Sequence, residues 1–237
     1  MEAAMLAAHY PRLWHMAEDN SWPSIRQHGL LSTSSLLDLY KIDETVRANI
    51  ERHHRSESVV IESKGLKPAV IRDQKPMSDA ALRKCLKDNL TPKQWYRTLN
   101  SMIFFWLTTD RLIRLLQAKP YRNLAHTVLT VSTASLLKGY EKDVRLSPMN
   151  SGCTKPYPWP RGLDTFLPIT QYPFEEWSSK RKKEPVVEFA VLGGIPDISD
   201  HTIAVHRMRG EDILAEIYRQ AGTATSDGPR QRAIGAR

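Results

Sequence analysis

The sequence predicts a mixed α/β fold, and three observations carry that expectation. Short β-branched and aromatic runs recur along the chain: Leu13-Trp14-His15, Met102-Ile103-Phe104-Phe105-Trp106-Leu107 and Val186-Val187-Glu188-Phe189-Ala190-Val191. Between them lie segments with helical spacing of apolar residues, many opened by a Ser, Thr, Asp or Asn suited to capping a helix N-terminus. At 237 residues and 41% hydrophobic content the chain can bury an ordinary core. We read residues 1–220 as one domain and residues 221–237 as a disordered basic tail, rich in Gly, Ser, Thr and Arg.

The elements follow in order. Met1 to Tyr10 reads as a helical lead-in, because Glu2 and His9 interrupt it before a signal-length apolar core accumulates. After the first strand, Pro23 suits a first helical turn and Gly29 can stop that helix in a left-handed conformation. Ser32 to Ser35 opens a second helix carrying Leu36, Leu37, Leu39 and Tyr40, and Asp43 to Arg55 forms a third. Val59-Val60-Ile61 and Ala69-Val70-Ile71, separated by Lys64-Gly65, suggest a hairpin or two short strands. Ser78-Asp79 starts a helix through Leu82, Cys85 and Leu86, and Thr91-Pro92 starts another with Trp95, Tyr96 and Leu99 on its apolar side.

Strand 102–107 comes next, and Thr108-Thr109-Asp110 caps a helix from Arg111 to Ala118. Thr127 to Val131 is a strand, and Ser132 to Leu137 turns into a short helix. From Asn150 to Tyr172 four prolines and two glycines predict a long ordered loop, which in a compact domain is usually functional or mobile. Strand 185–192 ends at Gly193-Gly194, Thr202 to Val205 forms a last strand, and residues 211–219 make a terminal helix.

Composition narrows the functional classes. No window approaches the about 20 apolar residues that span a bilayer, so a membrane-spanning protein is not expected, and the two distant cysteines make a reducing cytoplasm the default expectation. Cys85 and Cys153 are far apart and lack a CxxC partner, so neither a disulfide framework nor a thiolate zinc site is indicated. No metal is expected: adjacent His53 and His54 point apart on any regular element. A Ser nucleophile elbow, a Walker A loop and an HExxH motif are all absent from the sequence. The net charge of +8 makes an anionic partner plausible, either nucleic acid, a dinucleotide or an acidic protein.

Leu13-Trp14-His15, Asn20, Ile25 and Gly29-Leu30 resemble the opening motif of poly(ADP-ribose) polymerase-type and DarT-type ADP-ribosyltransferases. In that superfamily a strand bearing His precedes a helix that ends in Gly-Leu. Met102 to Trp106 resembles its second signature strand, Thr108 to Leu116 the helix that follows, and Glu188 its catalytic Glu. The resemblance covers roughly residues 10–208. It implies a bent, split, antiparallel-type sheet with flanking helices and an NAD cleft, and a mono-ADP-ribosyltransferase of the toxin or defence type with NAD as co-substrate. An antitoxin or immunity protein is the partner such a class implies.

The chemistry accounts for these residue types. Breaking the nicotinamide–ribose bond develops positive charge on the sugar, and a carboxylate on the ribose 2-hydroxyl stabilises it increasingly toward the transition state. The resemblance assigns this to Glu188, with His15 as a neutral hydrogen-bonding group for the adenosine ribose. Asn20, Gly29, Leu30 and Ser32 complete the first dinucleotide-binding segment. Phe104 and Trp106 share one side of the middle strand and Phe105 takes the other, so either side can stack on nicotinamide. No Tyr stands on this strand, unlike the polymerase-type members.

DarT-type members also use an Arg between the first two strands; Arg55 is the closest positional match and Arg72 its rival for gripping the pyrophosphate. The segment before Glu188 sets the acceptor in this superfamily. Here it holds Trp159, Arg161 and Trp177, then Lys180, Arg181, Lys182 and Lys183, a composition suited to stacking bases and gripping phosphates of single-stranded DNA or RNA. The alternatives are a protein acceptor, an inert module binding ADP-ribose, NAD or nucleic acid, and a generic basic RNA-binding protein.

Overall fold

The computed structural model describes residues 1–181 and 184–229. Lys182, Lys183 and the tail from Arg230 onward, all named above, lie outside the described residues. The chain begins with α1 (Ala3–His9), β1 (Arg12–Glu18), α2 (Trp22–His28), β2 (Leu30–Leu31), α3 (Thr33–Leu39) and α4 (Glu44–Arg52). It continues with β3 (Val59–Ile61), β4 (Ala69–Ile71), α5 (Asp79–Cys85), α6 (Pro92–Asn100), β5 (Met102–Phe105) and α7 (Thr109–Leu116). Then come β6 (Ala125–Ser132), α8 (Thr133–Tyr140), β7 (Val144–Ser147), α9 (Phe174–Lys180) and β8 (Glu188–Leu192). The last elements are β9 (Gly194–Ile195), α10 (Ile198–His201), β10 (Thr202–Arg209) and β11 (Asp212–Arg219). The fold is mixed α/β with antiparallel pairing, as expected. No described helix is long and apolar enough to cross a membrane.

The chain divides into two compact units. The first gathers Met1–Gly29, Phe104–Glu141 and Asp197 onward. Its frame is a four-stranded sheet in the order β1-β6-β10-β11. β1 pairs with β6 antiparallel from Arg12 opposite Ser132 to Glu18 opposite His126. Alternation then sends Trp14, Met16 and Val128 into one cluster with Met208, where α7 contributes Leu112 and Leu116. The α7 helix has its expected cap, with Thr108 Oγ1 accepting from Arg111 N. Ser135 Oγ and His201 Nδ1 meet at 2.8 Å, and Tyr140 donates to Asp197, so α8 and α10 are clasped by side chains.

The expected terminal helix at 211–219 is instead strand β11. Leu-Ala-Glu-Ile favours a helix locally, but Gly210 at φ +56 turns the chain back and β10 supplies an unpaired edge. Two register shifts along this pair fit the turn-proximal bends of a hairpin edge. Beyond β11, the Gly222–Pro229 stretch anticipated as disordered forms turns tied back to the sheet: Arg12 Nε donates to Asp227 at 2.8 Å, and Arg219 Nη1 donates to Ala224 O at 2.6 Å.

The second unit gathers Leu30–Ile103 and Lys142–Pro196. Its sheets are shorter: β2 with β9, β3 with β4, and a three-stranded sheet in the order β5-β8-β7, whose β5 starts in this unit at Met102. The hairpin β3–β4 lies as expected and packs Ile61 and Ile71 with Leu37, Tyr40 and Ile50 of α3 and α4. Helix α6 carries a capping box between Thr91 and Gln94 and buries Trp95, Tyr96 and Leu99. The expected strand 185–192 is shorter, beginning at Glu188, and β7, which has no counterpart among the expected strands, pairs with it from Val144 opposite Val191 to Ser147 opposite Glu188.

Candidate functional site

Glu188 opens β8, the central strand of its sheet. It is only 3% exposed, so it does not point to solvent from an edge, the alternative an isolated Glu in a strand leaves open. A buried carboxylate is costly unless hydrogen-bonded. Ser151 supplies that bond: its backbone N–H lies 3.2 Å from both carboxylate oxygens. Ser147, opposite Glu188 in the ladder, turns its Oγ to accept from Met149 N and donate to Met149 O, starting the long loop beside the carboxylate.

That loop is held by arginines. Arg161, expected on the acceptor-facing surface, is instead 1% exposed and directed inward. Its Nε donates to Trp159 O at 3.0 Å, Nη1 to Ser151 O at 2.7 Å and Nη2 to Cys153 O at 2.9 Å, and its guanidinium lies 6.0 Å from the centre of the Trp95 ring. Arg181 Nη1 donates to Pro148 O. Thr154 bonds Pro76 O through both N–H and hydroxyl. Between these ties the loop presents Tyr157 and Trp159 to solvent, 73% and 62% exposed.

Farther along, Trp177 of α9 is half-buried beneath two cations, Lys180 Nζ at 5.3 Å and Arg181 at 5.2 Å from its ring centre. Lys180 also pairs with Glu176 at 2.5 Å.

Arg55 is 9% exposed and turned into its own unit. Its Nε donates to Arg72 O at 3.1 Å, Nη1 to Ile50 O at the end of α4, and Nη2 to Asn100 Oδ1 at 3.0 Å. Burial pulls its pKa down to about 10, which still leaves it charged at neutral pH. Asn100 in turn donates to Glu51 O at 3.0 Å, and Gln74 Oε1 accepts from Arg55 N. The geometry therefore gives Arg55 the work of joining α4, α6 and the β4 exit, while its rival Arg72 contributes its carbonyl to that junction. Ser32 caps α3, its Oγ accepting from Ser35 N, and its own N–H meets Gly193 O at 2.8 Å. Leu30 pairs with Ile195 and is buried.

In the first unit His15 stands on β1 with Nδ1 2.9 Å from Phe104 O. A carbonyl only accepts, so Nδ1 carries the proton and Nε2 is an acceptor in the neutral ring. The imidazole also tilts against Phe105, 1% exposed, at 5.6 Å. Phe105 is thus core, and Phe104 is half-buried. Trp106 exchanges both backbone bonds with Trp14 at 2.8 and 2.9 Å and packs on the α7 cluster. Asn20 is exposed at φ +60, and Gly29 ends α2 at φ +86 and ψ 170, a positive-φ but extended conformation rather than the left-handed helical one anticipated for it.

Residues 11–202 match a family described only as a family of unknown function, DUF7002. The chain belongs to that family. No curated protein matches it. Ser151, Asn100 and Gln74 escape sequence reasoning, since nothing in their neighbours marks them; only the Ser-Gly step at the start of the proline-rich loop hints that Ser151 sits in a tight backbone. Among the described residues, no group of His, Cys, Asp and Glu is arranged to hold a metal ion.

Proposed function

We propose that this DUF7002 member is a mono-ADP-ribosyltransferase that moves ADP-ribose from NAD to a base of DNA or RNA, with the bent, split sheet of that superfamily. One observation carries the reading: the Glu188 carboxylate is buried at the start of a central strand and held there by a backbone N–H. Such a site suits a carboxylate that must be fixed in place before charge develops on its substrate. When bound, NAD supplies the ADP-ribosyl group, with nicotinamide as leaving group. Glu188 holds the ribose 2-hydroxyl, and its ionised form opposes the positive charge on the sugar. His15, its Nδ1 proton fixed on Phe104 O, leaves Nε2 as an acceptor for a hydroxyl and has a hydrogen-bonding role without proton transfer.

For the acceptor, the support is the +8 charge and the exposed Tyr157 and Trp159 on the loop that also contacts Glu188. A second reading, an inert module binding ADP-ribose or NAD, is favoured by the lack of a Tyr in β5 and the burial of Phe105. Labelled NAD offered with separate DNA, RNA and protein pools separates these. Transfer of label to nucleic acid that is lost in Glu188→Gln supports the proposal. Heat of NAD binding without nicotinamide release would establish the inert module.

A further inference from the structure

Arg161 is among the largest fully buried side chains of the protein, and its donors go to main-chain carbonyls of a segment with no strand ladder of its own. Its backbone is anchored as well: Arg161 N donates to Cys85 O at 2.9 Å, and Arg161 O accepts from Lys87 N at 2.8 Å. The side chain thus ties Ser151, Cys153 and Trp159 to a fixed point at the end of α5. Ser151 is the residue whose N–H meets both oxygens of Glu188. It is 1% exposed, and its Oγ finds no hydrogen-bond partner within the described chain, so the hydroxyl does nothing to hold the residue in place.

We propose that Arg161 is a positioning residue for Glu188, acting through the main chain of Ser151. The proposal rests on the ADP-ribosyl transfer reading for its catalytic consequence, but not for its structural one. The guanidinium is a rigid planar fork, and it reaches three carbonyls in different directions. A lysine keeps the charge, but its three N–H donors radiate from one nitrogen and cannot reach carbonyls that Nε, Nη1 and Nη2 meet separately. Released from Nη1, Ser151 shifts its N–H relative to the carboxylate, and displacements on the order of 1 Å at a reacting group cost about 100-fold in rate.

The test compares Arg161→Lys, Glu188→Ala and the unaltered protein by two measurements. Arg161→Lys lowers kcat for NAD turnover about 10- to 100-fold with KM for NAD changed by less than about twofold, because the defect lies in holding a carboxylate already in the site. A purely structural role would instead lower the folded fraction and leave kcat per folded molecule unchanged. In amide hydrogen exchange, the Ser151 amide exchanges about tenfold or more faster in both variants, while β7 and β8 stay protected. A Ser151 amide still protected in Arg161→Lys, or an unchanged kcat, overturns the proposal.

Should the unaltered protein turn over no NAD with any acceptor, the transferase reading fails on its own, and the exchange data still decide whether Arg161 holds Ser151 against Glu188. Should Arg161→Lys not fold, NMR on the unaltered protein replaces it. Slow exchange of the Arg161 Nη protons supports the clamp, and rapid exchange at the solvent rate refutes it.

Discussion

The two units are stabilised by different means. In the first, an antiparallel sheet satisfies most of the backbone itself, and charged side chains tie its margins: Asp19 to Arg207, Asp227 to Arg12, Glu216 to Arg219. In the second, strands are short, and buried polar side chains complete what the ladders leave open. Arg55, Asn100 and Arg161 each hold main-chain carbonyls or one another, away from solvent. Around the candidate carboxylate, irregular backbone is held by a side chain of high donor capacity, Arg161. The candidate carboxylate sits in the unit built that way.

Substitutions in each unit put this contrast to the test. The largest effect is expected at Glu188, where Glu188→Gln lowers NAD turnover about 100- to 1000-fold while the melting temperature stays within a few degrees. Retained nicotinamide release would falsify its assignment. Next come truncations in each unit. Leu112→Ala in the first removes a fully buried leucine and costs about 2–5 kcal/mol in denaturant unfolding, with activity per folded molecule intact. Arg161→Ala in the second leaves three carbonyls without their donor, costs about 3 kcal/mol, and lowers activity as well. Equal effects of the two on activity would erase the distinction between the units.

Acid is expected to act on the first unit in two stages. Burial pushes the His206 pKa below its ordinary value, so the unfolded chain takes up that proton first and stability declines as pH falls below about 6.5. Asp19, Asp227 and Glu216 are held below the usual carboxylate range by hydrogen bonds from Arg207, Arg12 and Arg219 respectively. Their contribution is complete above the unfolded carboxylate range and is lost as pH falls below about 4. Melting temperature against pH should therefore decline twice, and His206→Gln should remove the first decline. The smallest effect on stability belongs to Trp159→Ala, within about 0.5 kcal/mol because the ring is exposed, yet it should weaken binding of single-stranded nucleic acid about tenfold in a fluorescence titration.

Much of the local structure was legible in the sequence because it depends on neighbours. Caps at Ser32, Ser78, Thr91 and Thr108, the stop at Gly29 and the short hairpin at 59–71 all follow from chemistry within a few residues. Strand β11 did not, because its segment favours a helix until β10 offers an edge. β7 did not either, since Val-Arg-Leu-Ser carries too short an alternation to stand out. At the candidate site, Glu188 and its apolar surroundings could be read directly. Arg161 could not: a basic residue among exposed aromatics suggests a phosphate ligand, and only the folded loop shows carbonyls converging on it. Likewise Arg55 is expected at the site from its order along the chain, whereas its contacts are with α4, Arg72 and Asn100.

The long loop has firm ends and a crest whose side chains are mostly exposed. Thr154 fixes one side on Pro76, Arg161 fixes the other on Cys85, and Gly162 passes so close to Asp88 that a side chain there would collide with its carboxylate. Residues 155–160 between these anchors are mostly exposed. Substitutions confined to these exposed side chains are expected to change the surface the loop presents. The contact of Ser151 N–H with Glu188 lies outside the segment and stays in place.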